Sequence, residues 1–455
     1  MSMINIALSG LNANKVALDV TAQNVANVNT PGYSRQQVLT SSLGGQGRHS
    51  AGGGVEVTSI RRVADQFLVK QTWQTNSQAA YSSRYLSNMS QLESLLGADA
   101  FSLSGGLDTL YAALNDATVK PQSIPLRQQV INEAEALSRR FNTLTESLHA
   151  QHKNMSDQRG AAVEHANSLL SNLADVNRQI VEASATSGNA AQLLDTRENL
   201  IGELSKLMDV RTTEQPDGSL QVTLASGQPL VLGSEAAQLN TVPDNTDPYL
   251  ATLNLEFSGQ HFPVNGKVGG QLGAIDDYQL ETLKPNLAAL NDMAANLADE
   301  FNRVLATGKD LNGNQGAPLF TYNPANPAAS LTVADLSPED LAFSADGTPG
   351  NSEVLQKLVA IGNQSFAISG FGNVTINDAF TSMVGETAIK TRQASADHKA
   401  AESLNKQALA ARDNLSAVNS DEEAANLMVF ANAYQANMKV ISTANQMFDT
   451  VLQLF

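Results

Sequence analysis

The chain has 455 residues, with 28 Lys and Arg against 45 Asp and Glu, a formal charge of −17. That balance argues against a nucleic-acid binder, which needs a basic face to neutralise phosphates. Cysteine is absent, which removes disulfides, thiolate nucleophiles, thiolate zinc sites and iron–sulfur clusters at once. No continuous apolar stretch is long enough to predict a membrane span, and Met1–Ile6 has neither a basic nor an apolar leader character, so no cleaved signal peptide is expected.

From the N-terminus, Ile4, Leu8, Leu11, Lys15, Leu18, Ala22 and Val25 alternate steps of four and three. This predicts one amphipathic helix whose seam Lys15 interrupts. The run meets Asn29-Thr30-Pro31-Gly32, where Pro31 disfavours helix at Thr30 and the Pro-Gly pair suits the centre of a type II turn. Residues 34–60, densest in glycine over 41–54, read as a flexible connector. Helical spacing resumes near Val63 and runs to about Leu96. A second run from Leu126 to Ile180 predicts a helix roughly 80–90 Å long with a break near Gly160, too long for one compact globule.

Residues 190–209 form a shorter helix. Strands follow from Val210: Pro216-Asp217-Gly218 and Ser226-Gly227 are turns between alternating apolar runs, and Leu253, Leu255 and Phe257 alternate as well. Helix returns near Asp276 and runs to Leu305, loop dominates 307–350, a short helix lies near 352–361, and a long one spans 376–417. Ser420 and Glu423 have the spacing of a capping box. Beyond it Ala424, Leu427, Ala431, Tyr434, Met438, Ile441, Asn445, Phe448, Leu452 and Phe455 continue in steps of three and four. The fold class expected is mainly α with a smaller β domain: a long helical bundle, coiled-coil pairing of the N- and C-terminal helices, and an inserted β domain.

Catalytic chemistry finds no foothold. Among the six histidines, His149 and His152 share a helix face without a third metal ligand, and read as solvated. Asp310, Asn312 and Asn314 imitate a calcium loop, but Gln315 and Thr321 stand where Gly and Glu are needed, so a turn is expected. Neither a phosphate loop nor a nucleophile elbow occurs. An enzyme such as a peptidoglycan hydrolase has no constellation behind it, and no catalytic, cofactor or metal residue is predicted. The two ends of the chain are more informative. Each leaves several apolar side chains, worth ~1.5–3 kcal/mol apiece, without a core of its own. They are expected to pair with each other and with further copies, loosely ordered in the monomer and helical on assembly.

Residues 7–36, with Asn24, Ala26, Asn27, Asn29, Thr30, Pro31, Gly32 and Tyr33 as their core, resemble the N-terminal signature of the bacterial flagellar axial proteins, which comprise rod, hook and hook-associated subunits. The Gly32–Gln36 ending, the segment Leu193–Leu200, the Pro216–Leu232 hairpin and the C-terminal run from Asp421, including Gln435-Ala436-Asn437, resemble the hook-associated group. The resemblance implies a structural, non-catalytic flagellar component between hook and filament, outside the cell and exported by the flagellar type III apparatus. It implies self-assembly into a ring or helical layer. The partners it implies are the hook protein, a second junction protein (hook-associated protein 3) and an export chaperone at the C-terminal helix. A hook or distal rod subunit and a secreted coiled-coil adhesin are the alternatives. The assembly interface expected is Ile4, Leu8, Leu11, Leu18 and Val25 with Leu427, Tyr434, Met438, Ile441, Phe448 and Leu452. The layout expected is a terminal assembly domain (1–33 and 420–455), the connector (34–60), a helical bundle (61–209, 276–306 and 376–419), a β domain (210–275) and a loop-rich segment (307–375) too short for a full outer domain.

Overall fold

The computed structural model describes residues 3–44, 52–186, 190–245, 247, 249–264 and 266–453. In chain order the elements are α1 (Met3–Ala26), β1 (Gln36–Leu43), β2 (Gly54–Arg62), α2 (Gln66–Leu96), α3 (Leu103–Val119), α4 (Ile124–Ala185), α5 (Ala191–Leu207), β3 (Val210–Glu214), β4 (Leu220–Leu224), β5 (Pro229–Leu232), β6 (Glu235–Ala236), β7 (Gln238–Pro243), β8 (Ala251–Phe257) and β9 (Gln260–Pro263). There follow α6 (Gly270–Tyr278), α7 (Lys284–Leu305), β10 (Phe320–Thr321), α8 (Pro327–Ser330), β11 (Thr332–Val333), α9 (Glu353–Ala360), β12 (Phe366–Ile368), β13 (Gly372–Val374), α10 (Ile376–Ser416) and α11 (Ser420–Leu452).

The spine is α4, 62 residues without a break, roughly 93 Å if straight. The break expected near Gly160 does not occur, because helix on both sides buries a continuous stripe and Gly160 costs only propensity there. Its N-terminal half joins α2, α3, α6, α7, α9 and α10 around one core that includes Leu137, Phe141, Leu290, Phe301 and Phe380. Its C-terminal half lies in a second core with Trp73, Leu170, Leu204, Val222 and Leu255. One helix thus serves two hydrophobic centres. The long mixed composition of its sequence hides this, and so does α3, which the spacing analysis did not single out.

Two antiparallel sheets, ordered β3-β4-β5-β6 and β7-β8-β9, cover the second core. Two asparagines of α4 peg them. Asn177 donates to Leu220 O at 2.9 Å and accepts from Leu220 N at 3.2 Å, and Asn167 does the same with Leu239 at 2.9 and 2.8 Å. Each amide satisfies an edge donor and acceptor that burial would otherwise leave unpaired.

Three local expectations are corrected. The segment 34–60 is not a flexible connector over most of its length: β1 and β2 pair antiparallel from Gln36↔Arg62 to Leu43↔Gly54, with a bulge at Leu39/Thr40. Val38, Thr40, Val55, Val57 and Ile60 supply the β-branched side chains that favour pairing, and the glycine-dense tip at 45–51 lies outside the described residues. The helix α11 is capped by Asn419, whose side chain accepts from Asp421 N at 2.9 Å and Glu422 N at 3.4 Å, not by Ser420. His152 is buried, not solvated: its ring packs on Tyr249, with Asp247 3.8 Å from Nδ1. Within 307–375, Phe320, Leu331, Phe343 and Leu355 are buried in the first core. Arg127 of α4 donates to Pro121 O, Pro338 O and Leu341 O at 2.6, 3.1 and 2.6 Å, tying the irregular chain down.

Candidate assembly site at the paired termini

The two end helices pack on each other and, with the β1–β2 hairpin, form one unit. Gly10 of α1 meets Asn437 of α11, and a Cβ at Gly10 would lie 2.9 Å from Asn437 Oδ1. At the other end Arg35 reaches Glu422 at 2.9 Å. The helices therefore run antiparallel.

Their seam differs from the one the spacing predicts. On α1 the buried positions are Ala7, Leu11, Ala13, Ala17, Val20, Thr21 and Asn24, a face of small residues that lets α11 and the hairpin come close. Of the expected interface residues only Leu11 is buried there. Ile4 and Leu18 are half-buried, and Leu8 and Val25 are exposed. On α11 the inward face runs through Glu423, Phe430, Tyr434, Asn437, Ile441 and Ala444, so Tyr434 and Ile441 are half-buried. Leu427, Met438, Phe448 and Leu452 are exposed, together with Met428, Val429, Met447 and Val451; Phe455 lies outside the described residues. The intramolecular pair uses the small-residue face and leaves the large apolar side chains in water.

The N-terminal motif forms the joint between this pair and the body. Asn24, 1% exposed, binds Gln36 through both groups of its amide. It accepts from Gln36 N and donates to Gln36 O, each at 2.9 Å, and it accepts from Tyr33 Oη at 2.9 Å. Asn27 donates to Gln23 O at 2.9 Å and accepts from Thr30 Oγ1 at 3.2 Å. Tyr33 N donates to Thr30 O at 3.2 Å and Gly32 has φ 76°, the type II turn that Pro31-Gly32 predicts. The chain reverses there against α5. A Cβ on Gly32 would sit 2.0 Å from Asn199 Oδ1, so glycine is required twice, for space and for the positive φ. Ala26 and Asn29 are exposed.

The acceptors on α5 come from the segment 193–200, which sequence reasoning marked only by resemblance. Asp195 accepts from Ser34 N at 3.3 Å and faces Arg62 Nε at 3.3 Å, while Glu198 pairs with Arg62 Nη2. Arg197 Nη1 donates to Gly218 O at 2.8 Å in the β3–β4 turn, and Trp73 Nε1 to Glu198 O at 3.3 Å. Burial holds the Asp195 carboxyl above the usual range despite Arg62. Burial beside Asp195 and Glu423 pushes the Tyr33 phenol up to about 12, so it stays a donor to Asn24 at any physiological pH. The signal that could have found this joint is the density of charge in Asp-Thr-Arg-Glu on a helix that must also be buried. On the other strand of the joint, Arg35 N donates to Ser416 O at 2.8 Å and Arg35 O accepts from Val63 N at 2.9 Å.

No group of three or more potential metal ligands occurs among the described residues. Asp310 uses its carboxylate on Asn312 N, Asn314 N and Asn314 Nδ2 at 2.8, 2.7 and 3.0 Å, an Asx turn. No described helix is long and apolar enough to cross a membrane.

Comparison with known proteins agrees with this geometry. Residues 89–320 match the family model of the flagellar hook-associated protein FlgK helical domain, residues 4–33 that of the flagella basal body rod protein, and residues 412–454 that of the flagellar basal body rod FlgEFG protein C-terminal region. The flagellar hook-associated protein 1 of Salmonella typhimurium is 27% identical over 552 aligned positions, covering 100% of each chain. That of Bacillus subtilis is 26% identical, covering 99% of this chain and 97% of its own. The Salmonella alignment is longer than the 455 residues here, so that relative carries insertions without a counterpart in this chain. The fold resembles the flagellar hook junction protein FlgK of Burkholderia pseudomallei, with TM-score 0.69 and 16% identity over 76% of this chain and 99% of that one. The helical middle, flanked by rod-type segments that fold into the paired termini, places this chain in the flagellar hook-associated protein FlgK family, as a structural component of the flagellum.

Proposed function

We propose that the protein is a subunit of the junction between hook and filament, held in place by self-assembly through its terminal helices. The observation that carries this reading is the division of labour on α11. Its inward face is satisfied by α1, yet Leu427, Met438, Phe448 and Leu452 stay exposed. Burying each would contribute about 1.5–3 kcal/mol, a stabilisation only another chain can supply. In this reading residues 1–33 and 420–455 are the assembly module. The bundle (61–209, 276–306 and 376–419) carries the load, and the β region 210–275 faces outward. The terminal pair reaches full order on assembly, because helices without a covered face are marginal in water. The subunit performs no catalysis and acts outside the cell. It passes unfolded through the flagellar export apparatus, escorted by a chaperone that grips the apolar face of α11, and meets hook protein on one side and a second junction protein on the other.

The test is deletion of residues 1–30 in cells that lack their own copy. The expected result is hooks without filaments and filament protein shed into the medium. Intact flagella would return the protein to the adhesin reading. Leu427→Asp with Ile441→Asp should likewise abolish filament attachment while residues 60–400 stay folded.

A further inference from the structure

We propose that the cleft between α1, the β1–β2 hairpin and α11 receives Lys15 of a second copy of this chain, whose ammonium pairs with Glu423. The inference rests on the assembly reading above and names one contact within it.

Glu423 is 4% exposed, and no hydrogen bond or cation within 4 Å reaches its carboxylate among the described residues. The other charged side chain on the cleft, Arg35, gives its Nη1 to Glu422 at 2.9 Å, while its Nε is buried without a partner. The Glu423 side chain is thus nearly buried with no cation beside it, and it lines an open cleft. Ala17, Val20, Val38 and Phe430 form its walls, and Asn426 lies beside Glu423. Apolar walls interleaved with Asn14, Thr21, Gln36 and Thr40, with a carboxylate among them, fit a lysine, whose four-carbon stem lies on apolar surface while its head seeks acceptors.

The terminal helices carry two lysines, Lys15 and Lys439, both exposed and outside every ion pair among the described residues. Lys15 occupies a seam position in an otherwise apolar repeat. It lies roughly 140–160° around α1 from Ala13, Ala17 and Val20, so it cannot enter the cleft of its own chain. A contact between the back of one α1 and the front of the next is heterologous, the kind that closes rings or winds helices. The level is set as well. Gly10 faces Asn437, so in an antiparallel pair Glu423 lies near the height of Asn24. Lys15 is nine residues away along α1, about 14 Å. The second copy is displaced along the helix axis by that amount, less the reach of the lysine side chain. Lys439 is farther off, near the height of Leu8.

Lys15→Glu and Glu423→Lys are expressed singly and together in cells lacking their own copy. Each single change is expected to lower the number of filament-bearing cells at least tenfold, and the reciprocal pair to restore it to within about twofold. Singles with normal filaments, or a pair no better than the worse single, overturn the proposal. A second arm does not depend on how the charge variants fold. Because the chain has no cysteine, Asp19→Cys with Asn426→Cys in one molecule places one thiol on each side of the contact, each one helical turn from the charged residue. Bismaleimide treatment of isolated hook–filament preparations should give a ladder of covalent multimers. Monomers alone from preparations that do carry filaments overturn the contact. If the charge variants assemble normally while Leu427→Asp with Ile441→Asp do not, this seat for Lys15 is wrong and the assembly reading stands. If that apolar pair also assembles normally, the assembly reading itself falls.

Discussion

The helices α4 and α11 are written in the same three-and-four spacing of apolar residues, but they live in opposite surroundings. α4 buries its stripe from Arg127 to Ile180 inside one molecule, across two cores. α11 buries Glu423 alone, and presents Leu427, Met438, Phe448 and Leu452 to solvent. A periodic pattern states that a helix has a partner; it does not state whether the partner is in the same chain. Where the chain supplies neighbours on every side, as α2, α3, α5 and the sheets do for α4, the stripe becomes core. At the ends it supplies only one neighbour, so the larger half of the stripe stays in water.

The largest expected effect contrasts two phenylalanines. Phe141 on α4 is fully buried and Phe448 on α11 is 62% exposed. Phe141→Ala should cost about 3–5 kcal/mol in denaturant unfolding of the purified protein. Phe448→Ala should leave that transition unmoved and instead reduce filament attachment in cells. Equal destabilisation by the two would erase the distinction between core and assembly helix. Next comes the joint. Gly32→Ala meets Asn199 and a positive φ, a strain of about 1–3 kcal/mol. Amide exchange across residues 27–36 should speed up while the core amides of α4 do not change. If replacing both Pro31 and Gly32 by Ala leaves exchange, assembly and swimming unaltered, the turn does not set the angle of the terminal pair.

The body should carry the pH effect nearest neutrality. Burial lowers the pKa of His152 from 6.5, the largest influence on it. Asp247 opposes that, and His149, Arg159 and Lys284 add to it. The unfolded chain therefore takes up a proton near 6.5 that the folded chain refuses until a lower pH. Stability is lost as pH falls from about 6.5 toward the lowered folded value. Melting scans from pH 8 downward should show the decline, and His152→Gln should reduce it, leaving the share of His149, whose pKa burial also lowers. The smallest effect expected is that of Arg139→Ala, which removes an exposed pair with Glu135 at 3.4 Å and should shift unfolding by under about 0.5 kcal/mol.

Sequence alone determined the elements whose cause is local. The spacing from Leu126 to Ile180 required a long helical stretch, though not its unbroken passage through Gly160, Pro31-Gly32 required a type II turn, Pro216-Asp217-Gly218 required a hairpin turn, and the two end repeats required helices with uncovered faces. Each follows from neighbours a few residues apart, through periodicity or backbone sterics. The tertiary structure decided what distant residues settle. The seam of the end pair shifted to Ala13, Ala17, Phe430 and Asn437, because small residues allow close approach and the hairpin must also fit. Residues 36–43 and 54–62 became strands once paired with each other. Asp195, Glu198 and Asn199 became the socket of the N-terminal turn, and Glu423 turned from a presumed cap into a buried acid in a cleft. Burial and partner choice depend on contacts between residues far apart in the chain, and no local pattern carries that information.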